Sequence, residues 1–254
     1  MSKKSLYYAA FAFLIFGLAS CADIELKKQE EAIRGVGEAY ISQNDYTAAL
    51  NELLKAEKIY TNDPHLHYDL GFVYMAKNQL PLAIEHFKKA IDLKPDYAPA
   101  RNSLGTAYLA MNNWDSAIIC FQEVSKDLLY ATPHFPLTNL GWAYYNKKEF
   151  ALAEQFYREA LKIDPNYYVA LRGLGLTYLA IGNTIDAVNF LERAVKYSPG
   201  FPEYIYDLAG VYAILKEYNK AIIFYRKVVN TAPGSQLAVE ARNEIARIQK
   251  EQQK

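Results

Sequence analysis

The 254-residue chain has little of what most catalytic, metal-binding or polyanion-binding proteins need. It holds two cysteines, Cys21 and Cys120, and four histidines, His65, His67, His86 and His134. Lysines plus arginines equal aspartates plus glutamates at 28 each, and this balance argues against a nucleic-acid partner, which calls for a basic face. Residues 1–20 lack acidic side chains altogether. Long hydrophobic runs are missing too: the apolar stretch Leu6–Leu18 is too short to cross a hydrocarbon core of about 30 Å as a helix.

No constellation of Ser/His/Asp, Cys/His or paired carboxylates stands out, so no catalytic residue is expected and the chain is not read as an enzyme. Gly35-Val-Gly37 and Gly173-Leu-Gly175 are fragments of a dinucleotide loop, but neither follows a strand, and Tyr40 and Tyr178 stand where a third glycine belongs. His65 and His67 point about 200° apart on a helix, while His86 and His134 stand alone in the sequence, so no metal site is expected. No small-molecule substrate or cofactor is implied.

What is present begins at the N-terminus. Lys3 and Lys4, the apolar run and small residues at its end compose a secretory signal over 1–20. The run ends Leu18-Ala19-Ser20-Cys21, which resembles the lipobox of bacterial lipoproteins. That resemblance implies cleavage before Cys21 and covalent lipid on it; an ordinary signal peptide meeting a cysteine is the plainer alternative. Three acyl chains would hold the protein at a membrane almost permanently. Ala22, where an Asp would favour inner-membrane retention in well-studied lipoproteins, leans the expectation toward the periplasmic face of the outer membrane. With Cys21 acylated, only Cys120 remains, and in its apolar helical stretch it reads as a small buried hydrophobe.

A repeat dominates the rest. A small residue with Tyr three positions on recurs at Gly37/Tyr40, Gly71/Tyr74, Gly105/Tyr108, Gly141/Tyr144, Gly175/Tyr178 and Ala209/Tyr212, in steps of 34, 34, 36, 34 and 34. Twelve residues after each small one stands Ala49, Ala83, Ala117, Ala153, Ala187 or Ala221. A bulky residue follows four later (Leu53, Phe87, Phe121, Tyr157, Leu191, Tyr225), and Pro95, Pro165, Pro199 and Pro233 close four units. The period and pattern are similar to the tetratricopeptide repeat. The implied fold is all-α: a right-handed superhelical solenoid of six helical hairpins over 30–235, after a lipidated polar tether at 21–29. Leu237, Ala241, Ile245 and Ile248 recur on one face of a helix expected to cap the stack over 236–254.

One step is two residues too long. Leu129 occupies the closing-proline position of repeat three, and Pro133 and Pro136 come later. The second helix of that repeat is expected to continue about one turn before a loop ending near Pro133. Equally, the irregularity could reshape a binding surface. The stretch Leu-Leu-Tyr-Ala-Thr-Pro-His-Phe at 128–135, then Thr-Asn-Leu-Gly-Trp-Ala at 138–143, together with lipobox and repeat number, resembles the type IV pilus pilotin lipoproteins of the PilF/PilW and Tgl type. The resemblance implies an assembly factor that helps the type IV pilus secretin localise or multimerise; a general periplasmic scaffold for cell-wall enzymes or an export complex is the alternative.

By similarity to that repeat family, positions five, nine and twelve of each unit line a partner-binding groove. They are Tyr68, Phe72 and Met75; Asn102, Thr106 and Leu109; Thr138, Trp142 and Tyr145; Arg172, Leu176 and Leu179. This apolar, aromatic set suits an amphipathic helix or apolar strand rather than a peptide carboxylate. Trp142 and Tyr145 are candidate anchors, with simple packing between repeats as the competing role.

Overall fold

The computed structural model describes residues 3–127 and 130–253, with side chains from residue 23 onward. The described residues form thirteen α-helices and no strand: α1 (Lys3–Ser42), α2 (Tyr46–Ile59), α3 (Pro64–Ala76), α4 (Leu80–Leu93), α5 (Ala98–Ala110), α6 (Trp114–Ser125), α7 (His134–Asn146), α8 (Phe150–Ile163), α9 (Tyr168–Ala180), α10 (Thr184–Tyr197), α11 (Pro202–Ile214), α12 (Tyr218–Thr231) and α13 (Gln236–Gln252). Two compact units divide at Asn113/Trp114, the first carrying α1–α5 and the second α6–α13. Hairpins α1/α2 and α3/α4 lie in the first unit, and α7/α8, α9/α10 and α11/α12 in the second. Among the described residues no helix is long and apolar enough to cross a membrane.

The repeat positions are the core positions. All six alanines of the Ala49 series are fully buried, as are Leu53, Phe87, Phe121 and Leu191. The small residue of the first helix does not simply meet the alanine opposite, as the repeat pattern suggests; it makes room for the bulky residue. A Cβ on Gly71 would lie 2.6 Å from the Phe87 ring, and one on Gly141 2.7 Å from the Tyr157 ring. Burying such side chains contributes about 1.5–3 kcal/mol each, which no lone hairpin could collect on both faces. Val36 shows the converse: its counterparts Leu70, Leu140 and Leu174 are fully buried, whereas Val36 is 46% exposed because no described hairpin packs ahead of it.

Each hairpin turn has one construction. The residue after Tyr40, Tyr74, Tyr108, Tyr144, Tyr178 or Tyr212 by five positions donates its N–H to that tyrosine's carbonyl, as in Asp45 N–H to Tyr40 C=O at 3.0 Å. The residue just before that donor is left-handed: Asn44, Asn78, Asn112, Lys148, Gly182 and Lys216 have φ between 57° and 82°. This is the Schellman ending, which satisfies carbonyls that a helix terminus leaves free. Asparagine and glycine adopt that conformation readily, whereas at Lys148 and Lys216 it carries a steric cost. Lys148→Gly and Lys216→Gly should each raise stability by about 0.5–1 kcal/mol, measured by chemical denaturation; an unchanged or lower midpoint would contradict the strain.

Three segments differ from, or sharpen, the sequence expectation. Residues 23–29 of the tether are exposed and helical, continuous with the first repeat in α1. Neither Gly nor Pro interrupts 22–33, and Lys27 pairs with Glu31 at 3.8 Å. The second helix of repeat three does not extend by a turn; α6 stops at Ser125, two residues shorter than α4 or α8. There Ser125 Oγ donates to Gln122 C=O at 2.9 Å, and the N–H groups of Lys126 and Asp127 bond three residues back, tightening and ending the helix. Leu128 and Leu129 lie outside the described residues, and α7 begins directly after Pro133. Finally, α13 starts on a Ser235 cap, whose Oγ accepts from Ala238 N–H at 3.1 Å, and packs on α12 and α11 with Ala238, Ala241 and Ile248 buried.

Candidate functional site

Positions five, nine and twelve of a repeat are four and three residues apart, so they share one stripe of the first helix. In the first unit Tyr68, Phe72 and Met75 on α3, and Asn102, Thr106 and Leu109 on α5, are all half-buried. Tyr68 packs deeply, its ring 6.0 Å from Phe87 and 5.4 Å from Tyr97. Phe72 meets Tyr46 edge-on at 6.3 Å. Thr106 Oγ1 donates to Asn102 C=O at 3.1 Å, and the Asn102 Oδ1 is buried with no hydrogen-bond partner in this structure.

In the second unit a cleft of about 230 Å³ opens between α7 and α9, lined by Thr138, Asn139, Trp142, Tyr157, Val169, Arg172, Gly173 and Leu176. It unites four of the residues expected in the groove. Trp142 is the exposed wall, 36% accessible, and stacks on Tyr145 with centroids 5.5 Å apart and planes within 12°. Part of its indole therefore stays open to the cleft while the rest is packed. Thr138 is less available than expected: it is buried, and its hydroxyl donates to His134 C=O at 2.8 Å.

Arg172 is the polar end of the cleft. Its Nε donates to Asp207 Oδ2 at 2.6 Å, and its guanidinium lies 5.0 Å from the Tyr204 ring centre. Burial raises the Asp207 carboxyl above its ordinary range, and Arg172 opposes that rise. The same device appears in the first unit: Arg34 NH1 donates to Asp69 Oδ2 at 3.3 Å, again across 35 residues. In both cases position five of one repeat grips position six of the next. The paired Arg/Asp spacing was visible in the sequence, but only the packing of consecutive repeats makes it a contact.

Other sequence expectations are placed as follows. Cys120 is buried. Cys21 lies outside the residues whose side chains are described. Both Gly-x-Gly fragments fall inside helices, α1 and α9. His65 and His67 diverge, His65 Nδ1 meeting the Tyr97 hydroxyl at 3.0 Å. His86, however, does not stand alone: folding of α3 against α4 brings its Nδ1 to 3.0 Å from Nδ1 of His67.

Profiles described as TPR repeat match residues 37–77 and 73–112, and profiles described as tetratricopeptide repeat match 136–167 and 172–236. Among solved structures the chain is similar to PilF of Pseudomonas aeruginosa, with 18% identity, a TM-score of 0.72, and coverage of 87% of this chain and 99% of that one. It is also similar to PilW, described as a widely conserved type IV pilus biogenesis factor, with 19% identity, a TM-score of 0.76, and coverage of 83% and 97%. Curated relatives include anaphase-promoting complex subunit 6 of Arabidopsis thaliana, 22% identical over 173 residues, and BBSome complex member BBS4 of Bos taurus, 23% identical over 194. The chain spans only 32% and 37% of those two proteins. At these identities the structural likeness speaks for the fold alone. Helical hairpins, their period and the matched profiles together make the chain a member of the tetratricopeptide repeat family.

Proposed function

We propose that this chain is an outer-membrane lipoprotein, anchored through Cys21, that binds the type IV pilus secretin and promotes its localisation or multimerisation. The observation that carries the reading is length as well as shape. The match extends over 99% of PilF and 97% of PilW, against about a third of the first curated relatives. The lipobox-like Leu18-Ala19-Ser20-Cys21 ahead of the repeats supports the anchor. The partner enters through contact surfaces rather than chemistry: the aromatic patch around Phe72 and the Trp142 cleft each suit an apolar segment with a few polar groups.

The test is a crosslinked pull-down of the tagged, lipidated protein from cell envelopes. Enrichment of a pilus secretin, and loss of secretin multimers when the gene is deleted, is the expected result. Enrichment of cell-wall enzymes or export subunits with normal secretin multimers would replace this reading by a general periplasmic adaptor. Trp142→Ala should weaken binding to the captured partner by about 2 kcal/mol while leaving thermal unfolding unchanged. Normal binding by the folded variant would remove the cleft from the interface.

A further inference from the structure

Three side chains in the first unit depart from the apolar repeat pattern and meet in space. Glu57 on α2 stands where repeats two, four, five and six carry Ile91, Leu161, Val195 and Val229, and repeat three carries Ser125. His67 on α3 stands where repeats one, four, five and six carry Ile33, Leu137, Leu171 and Ile205, and repeat three carries Arg101. His86 on α4 stands where repeats four to six carry Phe156, Phe190 and Phe224. Those phenylalanines stack on the repeat tyrosines, and His86 keeps that stack, 5.2 Å from Tyr74 with planes 21° apart. The imidazole thus preserves the packing and adds a nitrogen donor.

The donors converge. One ligand atom from each of Glu57, His67 and His86 lies within 4.8 Å of the others. The two Nδ1 atoms are 3.0 Å apart, and Glu57 Oε1 is 4.0 Å from His67 Nδ1. The tautomer of His67 is set from behind: its Nε2 lies 2.8 Å from the Thr61 carbonyl, which can only accept, so Nε2 carries the proton and Nδ1 presents its lone pair forward. An imidazole held by a carbonyl on its far nitrogen is the usual outer support of a metal-ligating histidine. Thr61 itself occupies the position that Pro95, Pro165, Pro199 and Pro233 hold in other repeats.

We propose that Glu57, His67 and His86 form a binding site for a divalent transition ion of the zinc class, clamping the second helix of repeat one to both helices of repeat two. Two imidazoles and one carboxylate suit zinc and leave one position for water. Tetrahedral zinc at about 2.0–2.1 Å from each nitrogen sets the nitrogens about 3.3 Å apart, so the present separation opens by only a few tenths of an ångström. Glu57 would close by rotating its side chain at the mouth of a cleft whose lining also includes Glu85 and Asp92, balanced by Lys88 and Lys89.

The test is calorimetric titration of the full chain with zinc chloride at pH 7.5, with magnesium chloride as the control. The expected result is one saturable zinc site, no magnesium binding, and a thermal midpoint raised by zinc. His86→Phe, which restores the residue used in repeats four to six, should lower the affinity at least tenfold and abolish the thermal shift; His134→Ala should change neither. Should His86→Phe not fold, Glu57→Gln carries the same expectation of at least tenfold. Absence of saturable zinc binding by the parent chain, or undiminished affinity in the folded His86→Phe and Glu57→Gln variants, overturns the site.

Discussion

Gly173→Val should destabilise the second unit by about 3 kcal/mol or more, lowering its thermal midpoint by roughly 6–12 °C. A Cβ at 173 would lie 2.3 Å from Cζ and 2.6 Å from the hydroxyl oxygen of Tyr157. That ring is 1% exposed and cannot retreat, because Gly141 closes its other side, where an added Cβ would meet Cδ1 at 2.7 Å. The tyrosine is therefore held between two glycines from consecutive first helices, and both must lack a side chain. A second substitution gives the proof. Tyr157→Leu installs the residue that repeats one and five use there, Leu53 and Leu191, and should recover much of the loss in the double variant. Additive losses in the two single variants and the pair would show that the clash is not the cause. Gly173 and Tyr157 also line the Trp142 cleft, so the same close packing forms the floor of that cleft.

Glu30→Gln should stabilise the first unit at pH 8 and leave it unchanged near pH 4. Four carboxylates surround one guanidinium: Arg34 Nε is 3.6 Å from Glu30 and 3.2 Å from Asp63, and its NH1 meets Glu38 and, at 3.3 Å, Asp69. One cation, shared with the exposed Glu38, cannot compensate the three buried carboxylates Glu30, Asp63 and Asp69. Glu30 is fully buried and neither of its oxygens has a hydrogen-bond partner, so burial first, then Asp63 beside it, raises its pKa to about 7. The sign follows from proton linkage. Below about pH 4 the carboxyl is protonated in both folded and unfolded chains and costs nothing. As pH rises to about 7, the unfolded chain releases the proton while the folded chain retains it, so stability declines through that window and is lower by up to about 3 kcal/mol above it. The amide removes that decline. A variant whose pH–stability profile still parallels the parent would place the pH dependence elsewhere, Asp69 being the next group, since its burial likewise raises its pKa to about 7.

The sequence carried the repeat because each repeat position does one mechanical job six times. Agreement among the Ala49, Leu53 and Tyr40 series could be checked without coordinates, and the alanines and bulky residues of those series are the buried ladder of the structure. Expectations were weakest where a residue acts outside its own repeat. Arg172 and Asp207, His67 and His86, and Gly173 and Tyr157 are each unremarkable on their own helices; packing of adjacent helices gives them partners. The end of α6 departs from the expectation for a local reason: a missing proline permits a longer helix, but Ser125 bonding back to its own turn ends it early. A better signal was available in the exceptions. Polar residues at positions that most other repeats keep apolar, such as Glu57, Thr61 and His67, are places where a repeat is free to take on another use.

The unbroken passage of helix α1 from the exposed Asp23 into the first hairpin has a mechanical meaning. Between Asp23 and Glu30 the helix advances about 10 Å, whereas an extended strand of those residues could reach more than twice as far and swivel freely. A rod in place of a leash fixes both distance and heading. Whatever is joined ahead of Asp23 turns as the first repeat turns, so a pull on the scaffold arrives at the attachment as torque rather than slack.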